Sequence, residues 1–292
     1  MNNMSIIVLA IVNGFVLSSM YAIASLGLTL QWGVLKVLNF SHGLFMTWGA
    51  YIAYWIIAML GGNYLIALPS AIIISFFMGF ILYNFIIGPL QTRSKTEIVS
   101  NVFIGTLAVS IILENMVLII FGGRYKGIST IIPGFSNIFG AQVSNQQILL
   151  ILLGPLCFGF LLYFLSRTRL GMAVRAVAQD NVGAAIVGID SRKVFALTVS
   201  IGSCLAGLAG VLLGAYYYLS PQMGSAPLIT ALFVLVLGGM GSVKGTIIAS
   251  YIIGFIDAFS RFYIGNFWAE PILFVIFILV ILFRPQGLYG VK

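Results

Sequence analysis

Polar chemistry is scarce in this chain and falls in a few places. The single histidine lies in VLNFSHGLFMTWGAY (37–51), where Asn39, Ser41 and His42 come in quick succession before Gly43. An imidazole beside an amide and a hydroxyl suggests a metal ligand, a proton relay or a lining for a polar solute. One histidine and two separated cysteines, Cys157 and Cys204, do not build a usual zinc site, so no metal is expected. A relay needs more than one titratable group, and Leu44 leaves no acid next to the imidazole. Two readings of the cluster stay open. Either a neutral imidazole satisfies a backbone carbonyl freed at a helix break, or Asn39, Ser41 and His42 line a substrate path.

The remaining polar motifs exclude more than they assign. GGMGSVKGT (238–246) resembles a phosphate loop, but G-x-x-x-x-G-K-[ST] needs a strand before it and a Lys-Ser/Thr pair after its last glycine. Here Lys244 precedes Gly245 and apolar runs flank both sides. No G-x-S-x-G nucleophile elbow occurs. The chain therefore carries no ATP site and no cofactor of its own, and is not expected to be an enzyme. The Asn39-Phe40-Ser41 sequon falls at a membrane or cytoplasmic position and is discounted as a glycosylation site. An ionisable group at bilayer depth costs at least about 2.5–3.5 kcal/mol, so each needs a reason. Asp257 and Arg261, four apart, can pair on one helix face. Glu114 has only Asn115 beside it and sits either near the outer interface or on a water-filled path.

These residues must be positioned by a membrane protein. Of 292 residues 61% are hydrophobic and 7% charged, against about 25% charged in soluble domains. The net charge of +8 sits at the ends of apolar runs, as topology signals do, which favours membrane orientation over nucleic-acid binding. A spanning helix needs about 20 mostly apolar residues. Suitable runs cover 5–30, 44–60, 64–87, 98–121, 148–166, 194–219, 227–243, 245–264 and 268–283. The expectation is a single all-α polytopic membrane domain over 1–292, with about eight to nine transmembrane helices. Run 227–243 is short enough to be re-entrant. The first run lacks the basic start of a signal peptide and reads as a retained helix. Both cysteines fall inside apolar runs, so no disulfide is expected.

If all nine runs span, one face collects Lys36, Arg93, Lys95, Arg167, Arg169, Arg175, Arg192, Lys193, Lys244, Arg284 and Lys292. The other keeps Arg124 and Lys126, and Arg261 lies near a helix end. The positive-inside rule then places the C-terminus in the cytoplasm and the N-terminus outside.

Two Gly-containing interruptions, NFSHG and GGMGS, stand one in each half of the chain. Each is followed by a small-residue helix, GLFMTWGAYIAY and GTIIASYIIG. In transporters, polar sites form where helices break. Asn39, Ser41, His42, Gly43, Gly239, Gly241 and Ser242 are accordingly the candidate substrate path.

The longest polar stretch on the basic face, SRTRLGMAVRAVAQDNVGAAIVGIDSRKV (166–194), contains its own stops and starts. Asp180 or Asn181 can cap a short helix, Ala184, Ala185, Ile186 and Val187 continue it, and Gly188 can end it in the left-handed region. Asp190 or Ser191 can cap the next span. A short capped helix between two spans is either a solvated connector or a docking knob offering Ala and Ile to a partner's groove.

This loop resembles the coupling loop of branched-chain amino acid ABC transporter permeases, the smaller Liv-type membrane subunit. GLTLQWGVLKVLNFSHGLF, LGGMGSVKGTIIASYIIGFIDA (237–258) and RPQGLYG (284–290) resemble the same family in the same order. Two positions depart from the pattern. Gly183 stands where the wider importer class often has Glu, and Leu44 where relatives commonly have an acid. The resemblance implies a plasma-membrane importer half moving branched-chain or other small amino acids by alternating access. It also implies a second membrane subunit, two cytoplasmic ATPases that carry the ATP and magnesium, and an external binding protein. The coupling residues on the 167–193 loop would be Arg169, Arg175, Asp180, Ala184, Ala185, Gly188 and Asp190. The alternatives are an ion-coupled carrier or channel using Glu114, Asp257 and His42, and a non-transporting scaffold or intramembrane enzyme. An ion-coupled carrier has no need of a docking knob.

Overall fold

The computed structural model describes residues 3–93 and 97–290. Lys95 and Lys292 of the basic set lie outside the described residues. The chain folds into helices α1 (Asn3–Leu35), α2 (His42–Tyr54), α3 (Tyr64–Leu82), α4 (Gly88–Arg93), α5 (Ile98–Phe121) and α6 (Asn145–Arg167). They are followed by α7 (Arg169–Gln179), α8 (Asn181–Ile186), α9 (Ser191–Tyr216), α10 (Ser225–Gly238), α11 (Val243–Tyr263) and α12 (Asn266–Phe283). A π-helical turn, Tyr83–Ile87, joins α3 to α4, and another, Trp55–Met59, extends α2.

Among the described residues seven helices are long and apolar enough to cross a membrane: α1, the α3–α4 rod, α5, α6, α9, α11 and α12. The two runs that fall short are instructive. Helix α10 has 14 residues, about 21 Å, against a hydrocarbon layer of about 30 Å. Helix α2 begins at His42, whose ring meets Ala24. Ala24 lies eleven residues inside the end of α1 at Leu35, about 16 Å along its axis. Segment 36–41 thus turns back into the bundle before α2 starts. The nine runs divide into seven long helices and two that fall short, α2 and α10.

An antiparallel hairpin of β1 (Phe135–Ile138) and β2 (Ala141–Ser144), in the 122–147 loop, adds the only strands among the described residues. Phe139 and Gly140 both have positive φ at its tip, which a two-residue type I′ turn requires. An isolated bridge pairs Lys126 with Leu219, bringing the end of α9 to this hairpin end of the bundle. The basic end, opposite, carries Lys36, α7 and α8.

Helices α1 and α9 are the buried axis, and α5 and α12 form the apolar outside. Small residues bring the axis together. A Cβ on Gly49 would lie 2.7 Å from the Gly207 Cα, and one on Gly27 would lie 2.6 Å from the Gly202 carbonyl oxygen. Thr29 and Thr246 hydroxyls lie 2.7 Å apart between α1 and α11.

Candidate functional site

The polar break around Asn39 is built from backbone bonds. The Asn39 side-chain oxygen accepts from the Ser41 amide at 3.0 Å, an Asx-type turn that lets the chain reverse. The Ser41 hydroxyl donates to the Thr106 carbonyl at 2.7 Å, and the Phe40 amide donates to the Thr106 hydroxyl at 3.2 Å. The Ser41 hydroxyl is therefore a tie to α5 and caps no amide of α2. His42 Nε2 lies 2.9 Å from the Ala24 carbonyl oxygen, so Nε2 carries the proton and donates. That carbonyl belongs to the interior of α1, whereas the sequence suggested one freed at the break. Asn39, Ser41 and His42 are all buried, and His42 Nδ1 and Asn39 Nδ2 find no partner among the described residues.

Gly43 carries a contact that no local pattern announces. A Cβ there would lie 2.7 Å from the Gly224 carbonyl oxygen, and one on Gly224 would collide with the Gly43 oxygen. The Gly224 amide also donates to the Thr47 hydroxyl at 3.1 Å. The starts of α2 and α10 thus meet backbone to backbone in the middle of the bundle. Gly224, Thr47 and Thr106 were not read from sequence. The SPQMGS stretch before α10 was the one available signal, as a break ahead of a short apolar run.

The second half of the candidate path lies elsewhere. Gly241 abuts Gly33 of α1, with a Cβ on Gly33 3.5 Å from the Gly241 Cα. Gly33 is nine residues beyond Ala24, about 13 Å along the helix. Gly239 packs against Gly290, and the Leu288 and Tyr289 amides donate to the Leu237 and Gly238 carbonyls at 2.8 and 3.1 Å. The Ser242 hydroxyl caps α11 by accepting from the Gly245 amide at 3.2 Å. GGMGS and RPQGLYG therefore form one clasp at the basic end. Gly241 and Ser242 line a cavity of about 710 Å³ with Trp32, Lys36, Arg175 and Gln179. The seven candidate path residues divide into a mid-depth group and a basic-end group, and Gly241 and Ser242 of the latter line the same cavity as Arg175.

The 167–193 loop shows the helix starts and stops read from its sequence and adds a helix, α7. Thr168 caps α7 by accepting from the Gly171 amide at 2.9 Å while donating to Phe164 at 2.7 Å. Helix α7 is strongly amphipathic and buries Gly171, Val174 and Val177, leaving Arg169 and Arg175 exposed. Its three-residue apolar spacing was readable, but the basic residues obscured it. Asp180 caps α8 by accepting from the Val182 amide at 2.9 Å, and Gly188 takes φ +86. Asp190, rather than Ser191, caps α9 with the Arg192 and Lys193 amides at 3.1 and 3.2 Å. The Lys193 backbone N–H, followed by the Lys193 ammonium at 3.3 Å, holds the Asp190 carboxyl below its ordinary value. Ala184 is a correction: it is buried under α8, so the offered apolar face is Val182, Ala185, Ile186 and Val187.

Charged groups in the spans behave as their spacing suggested. Arg261 Nε donates to Asp257 Oδ1 at 2.9 Å, and Tyr21 adds a hydroxyl donated to Asp257 Oδ2 at 2.6 Å. Glu114 is half-buried and lines a cavity of about 270 Å³ near the hairpin end with Tyr125 and Gln222. Among the described residues no cluster of His, Cys, Asp or Glu could hold a metal.

Comparison with known proteins agrees with this architecture. The family described as branched-chain amino acid transport system / permease component matches residues 10–283. The high-affinity branched-chain amino acid transport system permease protein BraD of Pseudomonas aeruginosa is 34% identical over 96% of this chain and 94% of its own. LivH of Escherichia coli K12, of the same description, is 32% identical over 95% and 94%. LivM of that organism, also described as a permease protein of this system, is 27% identical over 93% of this chain and 68% of its own. Among solved structures, PsaBC from Streptococcus pneumoniae in complex with Fab shares the fold, with a TM-score of 0.53 at 10% identity over 94% and 91% of the two chains. This multi-pass membrane chain belongs to the branched-chain amino acid transport system permease family.

Proposed function

We propose that this chain is one membrane half of an ATP-driven importer that moves branched-chain amino acids by alternating access. The observation that carries the reading is α8. It is six residues long, capped at its start by Asp180 and turned at its end by Gly188. Val182 and Ile186 of α8 and Val187 just past its end are 70–81% exposed. A connector in water gains nothing from displaying three large apolar side chains on a rigid turn, whereas a groove-docking helix does. Arg169 and Arg175 on α7 flank it and suit an acidic rim on the same partner.

The partner at this face is a soluble ATPase, since the chain has no phosphate loop of its own. Similarity to both LivH and LivM supports a second, related permease as the membrane partner. With α8 on the ATPase side, the basic end and the C-terminus are cytoplasmic. The hairpin end then faces an external binding protein that delivers substrate. The mid-depth break at Asn39, Ser41, His42 and Gly43 is the hinge point beside the path, and the Gly239–Ser242 clasp transmits movement of Arg175 to α1 and α11. ATP and magnesium belong to the ATPase.

The test is uptake of labelled L-leucine by proteoliposomes holding this chain, a Liv-type partner permease, both ATPases and the binding protein. ATP-dependent uptake that Ala185→Asp removes supports the reading. Uptake driven by an ion gradient without ATP overturns it.

A further inference from the structure

One cavity near the hairpin end is unlike the others in its chemistry. It measures about 250 Å³ and lies between α1, the 217–224 connector, α10 and the facing ends of α11 and α12. Its wall holds one cation, Arg261, and one anion, Glu270, together with apolar Leu17, Leu213 and Met223. Glu270 has no salt-bridge partner among the described residues. The two opposite charges share a cavity without touching each other.

Arg261 is presented in a particular way. Its Nε–H is spent on Asp257, which is fully buried and fixed from its other oxygen by Tyr21. A guanidinium has five N–H donors, and the fork of its Nη groups grips a carboxylate with two parallel bonds. The Asp257–Tyr21 brace therefore pre-orients Arg261 without consuming that fork. Pre-organisation of this kind lowers the ordering cost of binding.

We infer that this cavity binds a zwitterionic aliphatic α-amino acid, with Arg261 taking the carboxylate, Glu270 the ammonium, and Leu17, Leu213 and Met223 the side chain. The inference rests on the importer reading and places a substrate station in the external half, away from the Asn39 break. A solute carrying both charges meets the free Nη fork of Arg261 and the unpaired Glu270 carboxylate at once; an anion or amine alone meets only one of them, which costs affinity. The connector between α9 and α10, which supplies Met223, also meets α2 through Gly224.

The experiment uses the full transporter in nanodiscs, with Thr230→Cys on the cavity wall as a reporter of maleimide labelling. Peptide mapping separates the label from the chain's own Cys157 and Cys204, and Ala226→Cys, on the same wall, is a second reporter. The probes are L-leucine, 4-methylpentanoate, which lacks the ammonium, and 3-methylbutylamine, which lacks the carboxylate. L-leucine alone slows labelling, and Glu270→Gln weakens its protection by about tenfold in concentration, the scale of one lost charge contact. Arg261→Lys, which keeps a charge beside Asp257 but lacks the fork, weakens it as well. Equal protection by all three probes, protection unchanged in both variants, or protection only by docked binding protein overturns the site. ATP-driven leucine uptake by the unsubstituted transporter without protection overturns the site and leaves the importer reading standing. Absence of that uptake overturns both.

Discussion

The mid-depth break and the α7–α8 loop are both interruptions between helices, yet they are held by opposite means. At the break, Gly43 and Gly224 touch through backbone atoms, and Asn39, Ser41 and His42 are buried against α1 and α5. In the loop, Thr168, Asp180 and Asp190 each cap the helix that follows them, and Gly188 supplies the turn. The first is made by distant elements and exposes nothing. The second is made by neighbours in sequence and displays its apolar face. Tertiary packing can hold a strained reversal inside a bilayer, where an unmet backbone group is expensive. Local capping suits a part that must keep its shape while another protein grips it.

The comparison breaks first at the glycines. Gly224→Val should abolish folded transporter in membranes, because its Cβ meets the Gly43 oxygen and neither backbone can move. The expected loss exceeds about 3 kcal/mol, above ordinary overpacking, read as the yield of monodisperse complex. His42→Ala comes next, at about 2–4 kcal/mol for a cavity and a lost buried hydrogen bond. His42→Gln, which keeps a donor, should lose less than half of that in thermal melting and in uptake. Equal loss of uptake in both variants at normal expression would reopen a proton relay.

The loop should fail differently. Gly188→Pro cannot take φ +86, since proline is held near −65°. Ala185→Asp puts a charge on the exposed face. Both should remove ATPase pull-down while the melting of the membrane core stays within about 0.5 kcal/mol, as for surface changes. Retained pull-down in both would make α8 a mere connector. Thr168→Ala should cost about 1 kcal/mol of helix stability through its cap. The smallest effect is at Asp190. Its lowered carboxyl pKa means the cap's charge contribution is complete above the ordinary value of 3.8 and is lost as pH falls through the lower folded value. Asp190→Asn should flatten that acid arm of a melting-against-pH curve and leave neutral pH untouched.

Legibility followed the same division. The Asp257–Arg261 pair, the Asp180 and Asp190 caps and the left-handed Gly188 depend on residues within a turn or two, and spacing alone revealed them. The contact of Gly43 with Gly224, the bond of His42 to Ala24, and the separation of Ser242 from His42 depend on which helices become neighbours. Nothing within either short stretch encodes that. Helix α7 is intermediate: Gly171, Val174 and Val177 mark a buried stripe, but three arginines nearby made the segment read as loop.

By itself the sequence determined a polytopic helical membrane protein, its nine apolar runs, its capped loop and its family, because hydrophobicity and capping act over a few residues; that seven of the runs form long spans came from the structure. Only the tertiary structure decided that two runs begin at mid-depth, that their glycines meet, and that the candidate path residues fall into two separate groups. Those outcomes rest on close helix approach, where the absence of a Cβ on one chain segment matters only once another segment arrives against it.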